Sequence, residues 1–205
     1  KINALLATMT VEEKTGQMTQ LTLDYVCKGA YFDGNKEMKI DHARLDSALL
    51  RYHVGSILNT STHTLTRDNW YELIENIQHV ATKKSRMKIP VLYGIDAIHG
   101  ANYTVGATLF PQELAQAATW NPTLVEQAGA VTAYEVRASA IPWNFSPVLD
   151  LGRQPLWSRF FETFGEDPYL VATMGEAIVK GYQGNDIANP EKVAACLKHY
   201  MGYSA

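Results

Sequence analysis

The chain has 205 residues, of which 46% are hydrophobic and 19% are charged, and its formal net charge is −3. This length allows one domain with a hydrophobic core, and the composition excludes a disordered chain. The weak net charge gives no electrostatic basis for binding nucleic acid or an anionic membrane. No apolar run is long enough to span a bilayer, so we expect no nucleic-acid partner and no membrane span.

The first quarter of the sequence predicts two helices joined by a surface loop. Thr10 and Glu13 have the spacing of a capping box, which predicts the start of a helix within residues 7–21. A second helix is predicted over residues 43–53, and residues 22–42 between the helices are predicted as a surface loop. The residues with a turn preference in this loop are Asp33, Gly34 and Asn35.

Strands and helices then alternate along the rest of the chain. The predicted strands are 56–59, 89–96, 143–150 and 192–198. The predicted helices are 67–84, 110–118, 121–140 and 167–184. Asn121 and Asp167 are predicted helix caps, because each precedes a proline that suits the first helical turn.

This alternation predicts an α/β fold with a parallel sheet, which is either an open sheet or a barrel. The phosphate-loop glycine patterns typical of the open folds are absent. Polar residues follow the apolar strands, and barrel enzymes build their sites at those carboxyl-terminal strand ends. We therefore predict a (β/α)8 TIM-barrel-like domain. Only about the first half is present, since about four strands are visible where the barrel has eight.

The segment YGIDAIHG places Asp96 and His99 just after a predicted strand. A carboxylate at this position can accept charge-assisted hydrogen bonds from two sugar hydroxyls. The alternatives are a turn aspartate and a metal site formed with His99, although two ligands are weak evidence for a metal. We predict neither a metal nor a cofactor for this chain.

A second candidate is Arg159, whose guanidinium can donate several hydrogen bonds into a pocket. The alternative is a surface ion pair between Arg159 and Glu162, which contributes little to stability. Arg153 is a competing basic residue in the same loop, and Glu166 and Asp167 are interpreted as residues of a helix start.

The strongest candidates are Lys198 and His199, which stand where the last apolar strand ends. Lysine is almost never buried without a partner, so this position needs an explanation. The open alternatives are ligand binding, a Schiff-base nucleophile and a salt bridge to a neighbouring strand. Cys27, in the predicted loop, and Cys196, in the apolar strand, are predicted not to form a disulfide, and they do not reveal the compartment.

Five segments together resemble the amino-terminal barrel of glycoside hydrolase family 3. The resemblance runs over nearly the whole chain, in order and with compatible spacing, so it is more specific than any single motif. The segments are MTVEEKTGQMTQ, IPVLYGIDAIHGANYTVGATLFPQELAQAATWNP, EVRASAI, SPVLDLGRQPLWSRFFETFGEDP and KVAACLKHYMG.

The resemblance implies an exo-acting retaining β-glycosidase, namely a β-glucosidase that releases terminal non-reducing β-D-glucose from β-linked glucosides or oligosaccharides. It implies that sugar hydroxyls are bound by Asp96, Arg159, Lys198 and His199. The N-acetylhexosaminidase branch continues past lysine–histidine into a proline-glycine-histidine segment. The continuation here is YMGYSA, which favours the glucosidase-like branch.

The resemblance also implies that residues 1–205 are the amino-terminal part of a larger enzyme. We expect the catalytic nucleophile and acid/base on later barrel strands and a following domain, against which this segment packs, and no catalytic residue within it. We expect a periplasmic or secreted location. Two alternatives remain open, namely a lyase or aldolase barrel using Lys198 as a Schiff base, and a non-catalytic carbohydrate-binding protein.

Overall fold

The computed structural model describes residues 1–28, 38–60 and 63–201. The chain forms two compact units, which divide between Gly94 and Ile95. The turn predicted at Asp33, Gly34 and Asn35 lies outside the described residues. Among the helices within the described ranges, none is long and apolar enough to cross a membrane.

In its described residues, the first unit combines four α-helices with short strands. Its helices are α1 (Ile2–Thr8), α2 (Val11–Gln17), α3 (His42–Asp46) and α4 (Arg67–His79), and the last two continue as π-helical turns over Ser47–Arg51 and Val80–Lys84. Its strands are β1 (Gln20–Thr22), β2 (Cys27–Lys28), β3 (Lys39–Ile40), β4 (Ser56–Leu58) and β5 (Leu92–Ile95), the last of which ends at the unit boundary. Strand β4 pairs in parallel with both β1 and β5, while β2 and β3 are antiparallel.

The predicted capping box begins α2. The Glu13 amide donates to the Thr10 hydroxyl at 3.2 Å, and the Thr10 amide donates to the Glu13 carboxylate at 2.9 Å. Gly16 of this helix packs directly on backbone, since a Cβ atom there would lie 2.2 Å from the carbonyl oxygen of Tyr52. The predicted helix start is therefore confirmed, and only glycine allows this close contact.

The core of the first unit lies between its helices and its parallel strands. Trp70 of α4 packs edge-on against Tyr93 of β5, with ring centroids 5.8 Å apart. Cys27 was predicted in a polar loop, but that prediction is wrong, because β2 pairs with β3 and buries the thiol. Cys27 and Cys196 are both free.

The second unit contains the helices that surround the last strands. Its elements are α5 (Glu113–Ala117), α6 (Pro122–Ala138), β6 (Trp143–Asn144), a 3-10 turn (Phe160–Glu162), α7 (Pro168–Gln183) and β7 (Ala194–Ala195). The predicted caps are confirmed, because Asn121 and Asp167 each accept two backbone N–H groups at the starts of α6 and α7. Helices α6 and α7 cross closely, and a Cβ atom on Gly181 would lie 2.3 Å from the Glu126 carbonyl oxygen.

The strands of the second unit are parallel, as predicted, but shorter than predicted. Strand β6 pairs with β7 over two residues, and an isolated parallel bridge joins Val148 to Lys198. Pro147, which has no N–H group to donate, interrupts the predicted strand 143–150. Cys196 is half-buried and Leu197 is 59% exposed, although both belong to the predicted apolar strand 192–198. In the described part of the chain no strand pairs with the outer edge of β7.

Candidate functional site

Ionisable residues of the second unit meet just beyond the ends of strands β5 and β7. Asp96 follows β5, and Lys198 follows β7. The Lys198 Nζ donates to the Asp96 Oδ1 at 2.5 Å. The lysine side chain is 13% exposed and the aspartate side chain 32% exposed, so the cation is covered while the carboxylate still reaches the surface.

His199 is held by a second carboxylate. Its backbone amide and its Nδ1 both lie close to Asp150 Oδ2, at 3.1 and 2.8 Å. The Asp150 side chain is only 4% exposed. Because a carboxylate accepts, Nδ1 carries a proton, and the second ring nitrogen is an acceptor whenever the imidazole is neutral.

Arg159 stands at the start of the 3-10 turn and faces two partners. Its Nε and Nη2 donate to the Glu162 carboxylate at 2.8 and 2.5 Å, and its Nη1 lies 3.4 Å from His199 Nε2. The Arg159–Glu162 pair therefore exists, as one alternative predicted. It is not a surface pair, because the Glu162 side chain is only 10% exposed and the guanidinium also reaches His199.

These contacts form one strand-end cluster of alternating charge. Its members are Asp96, Asp150, Arg159, Glu162, Lys198 and His199. The structure thus brings together all four residues predicted to bind sugar. It adds Asp150 and Glu162, which hold the basic side chains in position. Such a cluster offers both acceptors and charged donors to a hydroxylated ligand.

A buried amide fixes the backbone beside Asp96. The Asn144 Nδ2 donates to the Ala97 carbonyl oxygen at 2.9 Å, and the Ala97 amide donates to the Asn144 Oδ1 at 2.9 Å. Asn144 is fully buried. Because the N–H and C=O groups of Ala97 are both hydrogen-bonded to Asn144, the backbone next to Asp96 is fixed in position.

Glu113, the first residue of α5, lies behind the cluster and is fully buried. Its Oε1 accepts from the Val148 amide at 3.2 Å, and its Oε2 has no hydrogen-bond partner among the residues that the structure describes. Burial raises the pKa of this carboxyl well above its usual range. The charge of Lys198 opposes the pKa shift, and the charges of Glu162 and Asp150 add to it.

The remaining candidates lie outside the cluster. The His99 Nδ1 faces the Phe110 carbonyl oxygen at 2.9 Å, so this histidine has a structural partner. Over the described ranges, no three His, Cys, Asp or Glu side chains are grouped to hold a metal. Arg153 is exposed, and Asp167 caps α7 as predicted.

Sequence reasoning missed two of the buried carboxyls. Asp150 ends the predicted strand 143–150, and this position is the signal that groups it with Lys198 and His199 at the end of the predicted strand 192–198. Glu113 gave no signal, because an acidic residue in the first turn of a helix is common and favours the helix dipole.

The family model described as the glycosyl hydrolase family 3 N-terminal domain matches residues 10–205, which include the whole cluster.

The chain belongs to glycosyl hydrolase family 3.

Two curated relatives are similar to this chain over nearly its whole length. The chain is 38% identical to a lysosomal β-glucosidase of Dictyostelium discoideum over 216 residues, which cover 99% of this chain and 26% of the relative. It is 33% identical to a periplasmic β-glucosidase of Salmonella typhimurium, over 100% of this chain and 23% of the relative. The chain therefore spans about a quarter of the length of these relatives.

A solved structure supports the fold. The β-glucosidase of Listeria innocua in complex with glucose is similar with a TM-score of 0.75 and 33% identity, over 100% of this chain and 27% of that chain. The predicted α/β, TIM-barrel-like fold of family 3 is therefore confirmed, and this chain covers its amino-terminal part.

Proposed function

We propose that this chain forms part of an exo-acting retaining β-glucosidase, which releases β-D-glucose from the non-reducing end of β-linked glucosides. The observation that carries the proposal is the Lys198–Asp96 pair at the strand ends of a family 3 domain. Support comes from the relatives named β-glucosidases and from the similar enzyme that was solved with glucose.

The strand-end cluster supplies the chemistry that a sugar ring requires. A sugar hydroxyl both donates and accepts hydrogen bonds. A carboxylate beside a cation can therefore accept a hydrogen bond from one hydroxyl, while the cation donates a hydrogen bond to its neighbour. Asp96 supplies acceptors, while Lys198, Arg159 and His199 supply donors or a ring nitrogen. Since each basic side chain already contacts a carboxylate, the cluster is ordered before the sugar binds, and less side-chain entropy is lost on binding.

The ion pair favours binding over Schiff-base chemistry. An amine attacks a carbonyl only in its unprotonated form. The Lys198 Nζ is already bound to the Asp96 carboxylate, so it is not free to attack a carbonyl carbon. A lyase or aldolase using Lys198 would have to break this pair before its first step.

Retaining hydrolysis needs two carboxyl groups about 5–5.5 Å apart, one acting as nucleophile and one as acid/base. We infer that both are supplied by parts of the polypeptide outside these 205 residues, namely later barrel strands and a following domain. This chain then supplies the part of the site that holds the terminal sugar and packs against those later elements. A periplasmic or secreted location fits the Salmonella relative.

Substitution of Asp96 in the full-length polypeptide tests the proposal. Loss of its hydrogen bonds to the sugar leaves Lys198 and the substrate hydroxyls unpaired. Asp96→Ala should therefore lower kcat/KM for an aryl β-D-glucoside by about two to four powers of ten. His199→Ala should cost at least about tenfold.

The matched control is Asp68→Ala, which removes an exposed carboxylate on α4. It should leave kcat/KM within about threefold of wild type. If a folded Asp96→Ala variant also keeps kcat/KM within about threefold, Asp96 is only a turn residue and the proposal fails.

A further inference from the structure

We propose that Glu113 is a positioning residue that holds the segment 148–150, and through it Asp150 and His199, in place for binding the sugar. This inference rests on the proposed function, because it assigns a role within the same site. Glu113 belongs to α5, while the residues that it would support lie on two other segments.

Glu113 contacts the backbone of Val148. Lys198 forms the parallel bridge with Val148. The backbone hydrogen bonds of Lys198 go to Pro147 and Leu149, the two neighbours of Val148. The Lys198 amide donates to the Pro147 carbonyl oxygen at 3.1 Å, and the Leu149 amide donates to the Lys198 carbonyl oxygen at 2.8 Å. The Val148 amide therefore points to the opposite side, where the Glu113 Oε1 accepts it at 3.2 Å.

Val148 is connected to the strand-end cluster through Asp150. Asp150 stands two residues beyond Val148, and both of its contacts with His199 depend on where that short segment lies. Glu113 on one side and Lys198 on the other thus fix the position of residue 148. A shift there would move the carboxylate that orients the imidazole of His199.

An acidic side chain can serve here in its neutral form. Glu113 is fully buried, and the charges of Glu162 and Asp150 disfavour a further negative charge. A protonated carboxyl keeps one acceptor oxygen for Val148 and adds no charge. Glutamine has the same shape and the same acceptor, so it should replace Glu113 without loss.

The test compares two substitutions of Glu113 in the full-length polypeptide. Glu113→Gln keeps the acceptor, and Glu113→Met fills the same space without it. The kinetic constants for an aryl β-D-glucoside and the inhibition constant for glucose are measured below the melting temperature of every variant. We expect Glu113→Gln to stay within threefold of wild type, and Glu113→Met to raise KM and the glucose inhibition constant together and to lower kcat/KM at least tenfold.

The matched control is Gln116→Met on the same helix. Gln116 is also buried, but its Nε2 donates to the Pro111 carbonyl oxygen, which lies outside the segment 148–150. Its substitution should lower the melting temperature while leaving KM and the glucose inhibition constant within threefold. Equal kinetic losses in Gln116→Met and Glu113→Met would show a structural role only, and would overturn the proposal.

The remaining outcomes separate the two proposals. A wild-type polypeptide that neither hydrolyses β-glucosides nor binds glucose overturns the proposed function and this inference with it. An active wild type with a folded Glu113→Met of unchanged kinetics overturns the role of Glu113 alone. If Glu113→Met does not fold, Glu113→Gln decides, because a tenfold loss despite the retained acceptor contradicts the proposal and retained kinetics support it.

Discussion

Two long-range ion pairs of this chain are built in opposite ways. In the first unit, Glu13 is the buried partner at 5% side-chain exposure, and Arg86 is 58% exposed. In the second unit, the cation Lys198 is covered, and the carboxylate of Asp96 is about a third exposed. The carboxylate is therefore the buried partner in the Glu13–Arg86 pair and the more exposed partner in the Asp96–Lys198 pair.

The partners of each carboxylate explain the difference. Glu13 accepts from the Thr10 amide and from two nitrogens of Arg86, so its oxygens are used within the fold. These bonds lower the pKa of Glu13 to about 2, and the hydrogen bond from Arg86 contributes most. Asp96 instead keeps surface that a ligand can reach. An ion pair that supports the fold can thus be distinguished from one that supports binding by which partner is exposed.

The sharpest test of this comparison removes the cation from each pair. Lys198→Met should lower kcat/KM for a β-glucoside at least about tenfold, with a small change in melting temperature. Arg86→Met should lower the melting temperature and leave kcat/KM within about threefold, because it leaves the buried Glu13 without its cation. Kinetics and thermal unfolding of both variants in the full-length polypeptide provide the measurement. Similar effects of the two substitutions on both quantities would show that the pairs do not differ in role.

A smaller effect is expected on the stability of α2 at acidic pH. The folded-state pKa of Glu13 lies below the ordinary carboxyl value of 4.5, so its stabilising effect is complete above that value and is lost as the pH falls towards about 2. Glu13→Gln keeps the capping box but removes the charge. Hydrogen-exchange protection of α2 should therefore fall in wild type between pH 4.5 and pH 2, and change less in Glu13→Gln.

The control for the acid experiment is Glu75→Gln, which changes an exposed glutamate on α4. It should follow the wild-type pH dependence. If Glu13→Gln also loses protection as steeply as wild type, the Arg86 pair does not stabilise α2 in the way described.

Local features of the fold were predictable from the sequence. The capping box of α2 and the caps at Asn121 and Asp167 each depend on residues within three positions of one another. The meeting of Asp96 and Lys198 was also predictable, because parallel strands bring their carboxyl ends to the same edge.

Long-range pairing was not predictable in the same way. Glu13 and Arg86 are separated by 73 residues, and neither local pattern indicates the other. Glu113 resembles any acidic residue at a helix start, and its burial depends on α5 packing behind residue 148. The predicted strands 143–150 and 192–198 are longer than β6 and β7, because apolar composition predicts a strand but not the number of residues that pair.

The most direct test of the central claim is a crystal structure of the full-length polypeptide with glucose. We expect hydroxyls of one bound glucose to lie within about 3.2 Å of both an Asp96 carboxylate oxygen and the Lys198 Nζ, with Asp150 still bound to His199. A glucose bound elsewhere, with the Asp96–Lys198 pair making no contact to the sugar, would contradict it.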